Sequence, residues 1–203
     1  YTPRTLFPYT TLFRSTSLKA HELITRPCHL VDQTDLPRVG FRGAHSAEYL
    51  TARGFSLPDA PNRASAQADG GWVARLSQNE YLLLGSPKDQ GQRIADEEAR
   101  WELDHRALYL LPRQDSHACV LLSGDAIAQV MAKLCGVDLS FPAFKPGAVA
   151  QTAAARINVI VIHSGSVDAP AFHILWDRAS KDYFEGALMD ALEEFGGNGL
   201  HSR

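Results

Sequence analysis

Short runs of β-branched, aromatic and leucine residues, each closed by turn formers, recur along the chain. "CHLVDQ", "RVGFRG", "GWVARLS", "EYLLLG", "RALYLLP", "HACVLLSG", "AVAQTAA", "RINVIVIH" and "AFHILWD" read as nine short strands. "SQNE", between Leu76 and Tyr81, and "SGSVDAP", after His163, read as hairpin turns. Four other stretches carry apolar residues at helical spacing. "GAHSAEYLTARG" runs from Gly43 to Gly54, where glycine stops a helix. "KDQGQRIADEEARWEL" is charged, with Gly91 blurring its start. "GDAIAQVMAKLCG" begins near Ser123 or Asp125 and closes at Gly136, with Ile127, Val130, Met131 and Leu134 on one stripe. "DRASKDYFEGALMDALEEFGG" sets Phe184, Leu188, Ala191 and Phe195 on one face and closes at Gly196.

Strands and helices interleave, yet the hairpins require antiparallel pairing, which places the chain in the α+β class. "RVGFRGAHSAEYLTARGFSL" and "CVLLSGDAIAQVMAKLCGVDL" share one plan: strand, glycine turn, helix, glycine stop. Val39 aligns with Val120, Phe41 with Leu122, Gly43 with Gly124, Ala47 with Ala128 and Leu50 with Met131; after a one-residue slip Gly54 aligns with Gly136. The expected architecture is a tandem pair of ferredoxin-like β-α-β-β-α-β units with packed antiparallel sheets. Residues 16–203 then form a single domain of two similar halves, about 28–106 and 107–197.

One strand says how the sheets sit. In "RINVIVIH", Ile157, Val159 and Val161 point to one face and Asn158, Ile160 and Ile162 to the other. Apart from Asn158 both faces are apolar, so both must be covered. Helices cover one, and Ile160 and Ile162 are expected in a core shared by the two halves. Partner contact is left to polar elements, among them the loop "LPDAPNRASAQADGG" from Leu57 to Gly71, with Arg63 on it.

Composition narrows the classes. With 45% hydrophobic and 21% charged residues the chain is an ordinary globular protein, and a formal net charge of −3 without a basic run argues against nucleic acid as a partner. No stretch reaches the roughly 20 apolar residues of a membrane helix. Cys28, Cys119 and Cys135 are odd in number and widely spaced, which fits neither a disulfide framework nor a CxxC metal site, and the cytoplasm is the expected compartment.

Candidate chemistry is sparse. "DSHAC" groups Asp115, Ser116, His117 and Cys119, but strand neighbours face opposite ways, so Asp115 and Ser116 cannot jointly orient His117 as a triad would. Asp115 and Ser116 are expected to bond local backbone at the strand entry. His21, His29, His45, His105, His117, His163, His173 and His201 show no metal-ligand spacing, and Cys135 reads as a small buried hydrophobe. "FGGNG" from Phe195 follows a helix rather than a strand, so it is a helix stop with a flexible tail, not a dinucleotide fingerprint. Asp96, Glu97 and Glu98 read as solvated helix surface. The expectation is therefore no catalytic residue, no metal ligand and no assignable cofactor-binding residue.

The second half carries "LLSGDAIAQVMAKLCGVDLSFPAFKPGAVAQTAAARINVIVI" and "FHILWDRASKDYFEGALMDALEEFG". A leucine-rich strand and glycine, a helix, C-G-V-D-L, F-x-x-G, A-Q-T and an apolar strand together resemble the gamma subunit of heterotetrameric sarcosine oxidase, a family with a fold like the folate-binding domain of aminomethyltransferases. The first half fits more loosely through "PNRASAQADGGWVARLSQNEYLLLG", so the resemblance spans about Pro37 to Gly196. It implies a non-catalytic subunit packed on a large alpha subunit, with beta and delta subunits completing the complex. That complex oxidises sarcosine, or a related N-methyl amino acid, using FAD, FMN and NAD and passing the one-carbon unit to tetrahydrofolate. None of these cofactors is expected on this chain alone. The alternative is a free-standing folate-binding protein of the aminomethyltransferase type. Such a folate site needs a carboxylate near the hairpin after the first helix of a unit; here "GAVAQTAAARI" offers Gln151 and Thr152, and Asp138 lies earlier, where it can bond the turn after Gly136.

The chain begins "YTPRTLFPYTTLFRSTS". Thr5 to Ser15 matches the translation of a widely used short-read sequencing adapter, so residues 1–15 are read as a non-native segment and set aside. Deleting them is expected to leave the melting temperature unchanged; a drop of several degrees would show that they pack against the domain.

Overall fold

The computed structural model describes residues 26–201, with side chains to residue 197; the adapter-like residues 1–15 and His21 lie outside the described residues. Among the described residues eleven strands form two sheets. The first sheet has the order β3-β4-β5-β2-β6, from β2 (Arg38–Arg42), β3 (Arg63–Ala66), β4 (Trp72–Ser77), β5 (Glu80–Leu84) and β6 (Tyr109–Leu111). The second runs β11-β1-β7-β10-β9-β8, from β1 (His29–Asp32), β7 (His117–Ser123), β8 (Val149–Ala154), β9 (Ile157–His163), β10 (Ala171–Asp177) and β11 (Asn198–His201). Pairing is antiparallel except where β1 meets β11. All nine expected strands and both hairpins are present. The helices are α1 (Ser46–Ala52), α2 (Gln92–Arg100), the single turn α3 (Arg113–Ser116), α4 (Ile127–Ala132) and α5 (Lys181–Leu192).

Burial explains the layering. Val39, Phe41, Val73, Tyr81 and Leu83 turn outward from the first sheet and pack with Tyr49 and Leu50 of α1 and Ile94 of α2. Val120, Val159, Val161, Ile174 and Trp176 turn outward from the second and pack with Ile127 and Met131 of α4 and Phe184 and Leu188 of α5. The opposite faces of the two sheets meet each other. Ala74, Leu76, Leu82 and Leu84 pack on Cys119, Val149, Ile162 and Leu175, with Ile160 at the margin. The result is four layers, helices outside and two sheets inside, and Ile160 and Ile162 lie between the sheets as the two-sided apolar strand requires.

The two sheets are also stitched along one edge. Arg63 on β3 bridges Ala148, just before β8. Ala64 N–H donates to Gly147 O at 2.7 Å and Val149 N–H to Asn62 O at 3.0 Å. The loop expected between Leu57 and Gly71 therefore contains β3, which owes its extended shape to partners on both sides. Arg63 is exposed on it.

Matching positions behave alike in the two sheets. Gly43, after β2, and Gly124, after β7, have φ of 138° and 129°. A Cβ on Gly43 would lie 2.0 Å from Ala107 O, and one on Gly124 would lie 2.7 Å from Pro27 O, so each strand-to-helix turn needs glycine. The second pair of expected stops does not match. Gly54 has φ 76°, but α4 ends at Ala132, ahead of Gly136, because Cys135 leaves the helix to bridge Ala154 and Leu134 O accepts Ala155 N–H. The tail after Phe195 is likewise not wholly irregular, since Asn198–His201 pairs with β1 as β11. The division at residue 106 cuts across the sheets too: β1 belongs to the second sheet and β6 to the first.

Ile162 is 0% exposed between the sheets. Ile162→Ala is expected to cost about 2–5 kcal/mol of unfolding free energy, and Ile162→Asp to abolish cooperative folding, both read from urea melts. A normal melt for Ile162→Asp would mean that the contact between sheets does not hold the domain together.

Candidate functional site

Two concavities stand out. The larger, about 570 Å³, lies between α4 and the segment that follows it. Ala128, Ala132, Val137, Leu139, Phe141 and Pro142 give it mostly apolar walls, and it holds the C-G-V-D-L run. Two of its polar side chains, Asp138 and Cys135, are engaged by the turn itself. Asp138 Oδ1 accepts Ser140 N–H at 2.9 Å, and these bonds to Ser140 hold the carboxyl below its ordinary range. Cys135 Sγ accepts Val137 N–H at 3.4 Å. Asp138 thus shapes the turn after Gly136.

The second, about 320 Å³, opens on the inner face of the second sheet and is lined by His117, Gln151, Thr152, Asn158, Val159, Ile160 and Leu175. Register assembles it: Asp177 pairs with His117, Leu175 with Ile160, Gln151 with Ile160 and Ala153 with Asn158. Gln151 Nε2 is spent on Asn62 Oδ1 at 2.8 Å and Leu76 O at 2.6 Å, which ties β8 to the first sheet. Nearby, Glu80 is buried between Arg42 and Arg113. Arg38, 1% exposed, donates to Gln33 O, Thr34 O, Leu36 O and His117 O.

The "DSHAC" residues separate much as strand geometry requires. Ser116 Oγ donates to Pro112 O at 3.2 Å, the expected backbone role, and also sits 2.7 Å from His117 Nδ1. Asp115 bonds neither His117 nor the adjacent backbone. Burial, with Arg113 and Arg38 nearby, pulls His117 down to about 4, while Asp177 and Glu80 act the other way. Cys119 faces the inter-sheet core, where burial pushes its thiol up to about 12; burial also raises Cys28. Neither thiol is poised as a nucleophile.

The remaining histidines are dispersed. His45 Nδ1 accepts Ala107 N–H at 3.1 Å, and His29 and His105 are exposed. His163 is packed among Phe141, Phe144 and Phe172 and donates from Nδ1 to Phe144 O at 2.7 Å. His173 Nδ1 is 2.7 Å from Ser164 Oγ. His201 lies on β11. Among the described residues no three His, Cys, Asp or Glu side chains gather as metal ligands, and no helix is long and apolar enough to cross a membrane. Glu97 departs from the expected solvated surface: it is 6% exposed and pairs with Arg53 at 2.9 Å, joining α2 to α1. The cluster of Glu80 with Arg42 and Arg113 had no signal in the sequence, because its members are far apart. Asn158 did have one, as the single polar residue in an apolar strand.

No family model matches the chain, and no curated protein matches its sequence. Solved structures do match in fold. A chain of heterotetrameric sarcosine oxidase from Corynebacterium sp. U-96, in complex with pyrrole 2-carboxylate, aligns with a TM-score of 0.65 at 21% identity, covering 86% of this chain and 88% of that one. The glycine cleavage system aminomethyltransferase T from Bartonella henselae aligns with a TM-score of 0.63 at 14% identity. It covers 90% of this chain but 50% of its own, so this chain spans half of that enzyme. The fold is therefore shared with a sarcosine oxidase chain and with part of an aminomethyltransferase.

His173 supplies a pH test. It is 9% exposed, and burial pulls it down to about 4, against about 6.5 when unfolded. The neutral ring is the form the fold accepts. Its contribution is complete above pH 6.5 and is lost as pH falls toward 4, by up to roughly 3 kcal/mol. His173→Gln is expected to flatten the fall of stability across that window in urea melts at successive pH values. An unchanged slope would mean that His173 titrates normally.

Proposed function

We propose that the chain is a non-catalytic subunit of a sarcosine oxidase-type complex in the cytoplasm, packed against a larger alpha-type flavoprotein subunit alongside beta and delta subunits. The observation that carries this reading is one of extent. The alignment extends over 88% of a heterotetrameric sarcosine oxidase chain but over 50% of an aminomethyltransferase, and identity is 21% with the first and 14% with the second. The residues fit the same reading. Asp138, the acid nearest the hairpin that would serve a folate site, is committed to its own turn, and Gln151 is committed to the seam between sheets. Oxidation of sarcosine or another N-methyl amino acid, with FAD, FMN, NAD and tetrahydrofolate, then belongs to the other subunits.

The architecture we propose is a duplicated ferredoxin-like unit within one domain spanning residues 16–203. It is supported by strand order. In the first sheet β4-β5-β2-β6 follows that plan with β3 added at the edge, and β9-β10-β7 with β8 at the edge repeats it in the second. There β1 enters between β7 and β11.

Co-expression with the flavoprotein subunits tests the role. The chain is expected to co-elute with them in fixed ratio and, alone, to show neither flavin absorbance nor sarcosine-dependent oxygen uptake. Arg63→Glu, whose side chain is exposed at the seam between β3 and the start of β8, is expected to keep the melting temperature and weaken co-elution. Stoichiometric flavin on the isolated chain would overturn the reading. So would a chain that stays unassociated and by itself transfers an aminomethyl carbon to tetrahydrofolate.

A further inference from the structure

The 320 Å³ cleft on the inner face of the second sheet holds polar groups that the fold leaves partly unused. Ser116 Oγ lies 3.2 Å from Pro112 O and 2.7 Å from His117 Nδ1; where it gives its proton to Pro112 O, His117 Nδ1 carries a proton and donates it to Ser116 Oγ. His117 Nε2 is then left as an acceptor with no protein partner. Both hydrogens of Gln151 Nε2 are taken by Asn62 and Leu76, which leaves its Oε1 as a second acceptor. The Asn158 carboxamide makes no hydrogen bond within the described residues and offers a donor and an acceptor side by side. Ile160, partly exposed, supplies an apolar floor among these groups, with Leu175 buried beneath it.

From this set we propose that the cleft binds a small, uncharged, planar cyclic amide, a lactam or imide, with its N–H and C=O edge paired to Asn158, a further N–H given to His117 Nε2 or Gln151 Oε1, and its ring over Ile160. A carboxamide and a lactam edge are complementary in two parallel hydrogen bonds, as when Asn reads a base edge. A carboxylate would face two acceptors. A cation would meet the field of Arg113 and Arg38, which already disfavours a charged His117. A pocket of mainly apolar lining with a few convergent polar groups is the usual form of a small-molecule site. The inference does not rest on the subunit reading, since the cleft belongs to this chain alone.

Uracil and 1,3-dimethyluracil are the probes, titrated into the full chain by calorimetry and by saturation-transfer NMR. Uracil is expected to bind saturably, and dimethyluracil, with both N–H groups blocked, at least about tenfold more weakly. Asn158→Leu lies at an exposed position and should leave the melting temperature unchanged while weakening uracil at least about tenfold. Binding should move the 15N resonance of His117 Nε2 and leave Nδ1, held by Ser116, in place. No saturable uracil binding, equal binding of the two probes, or unchanged binding by a folded Asn158→Leu would each overturn the proposal.

Discussion

The molecule is organised by strands that have no wet face. β5 is buried at all five of its positions, and β9 and β10 carry apolar side chains in both directions. A strand of this kind cannot sit in a sheet open to water, since each fully buried aliphatic side chain is worth roughly 1.5–3 kcal/mol over its exposed form. Helices can cover one face of each sheet. The remaining face has to meet another sheet, and the chain supplies it. Everything else, from the four layers to the joined edge at β3 and β8, follows from pairing two faces that neither half could leave uncovered.

Bringing sheets together also forces polar backbone into the interior, and Arg38 answers that need. Its guanidinium gathers carbonyls from the β1–β2 connection and from the start of β7 in the second sheet. No carboxylate among the described residues forms an ion pair with it. The charge is stabilised by fixed carbonyl dipoles instead, so one side chain holds both the crossing segment and the first residue of β7 in place. A lysine could not reach that many acceptors from a planar fork. The same contact fixes the backbone of His117, so the lock between sheets and the cleft share a residue.

Strand content was legible because it depends on local composition and turn residues, and nine strands and both hairpins could be read directly. β3 could not. "RASA" has little apolar content, and it is extended because β4 lies on one side and Gly147 and Ala148 on the other. The early end of α4 was hidden for the same reason, since Cys135 is drawn into a bridge with Ala154, far along the chain. The hairpin tip at Ala155 and Arg156 has φ of 46° and 67° with no glycine or asparagine to announce it. Glu97 looked solvated because its partner, Arg53, lies on another helix. His117, Gln151 and Asn158 were each visible as residues, but their meeting depends on the register of four strands.

That register gives the sandwich a direction. Along β5 the inner positions run Leu84, Leu82, Glu80; along β9, Ile162, Ile160, Asn158; along β10, Leu175, Asp177; and along β7, Cys119, His117. Beyond His173, which shares this face on β10, each inner row passes from apolar to polar, and the influence of Glu80 and Asp177 on His117 places these polar ends in one neighbourhood. Stability alone gives no reason for four strands, one from the first sheet and three from the second, to lose their apolar residues together, because the same positions filled with leucine would extend the core. Glu80 is satisfied by Arg42 and Arg113, and His117 by Ser116 on one nitrogen. The Asn158 side chain makes no hydrogen bond among the described residues. The polar end is thus held by ion pairs on the first sheet and open to solvent at Asn158 on the second.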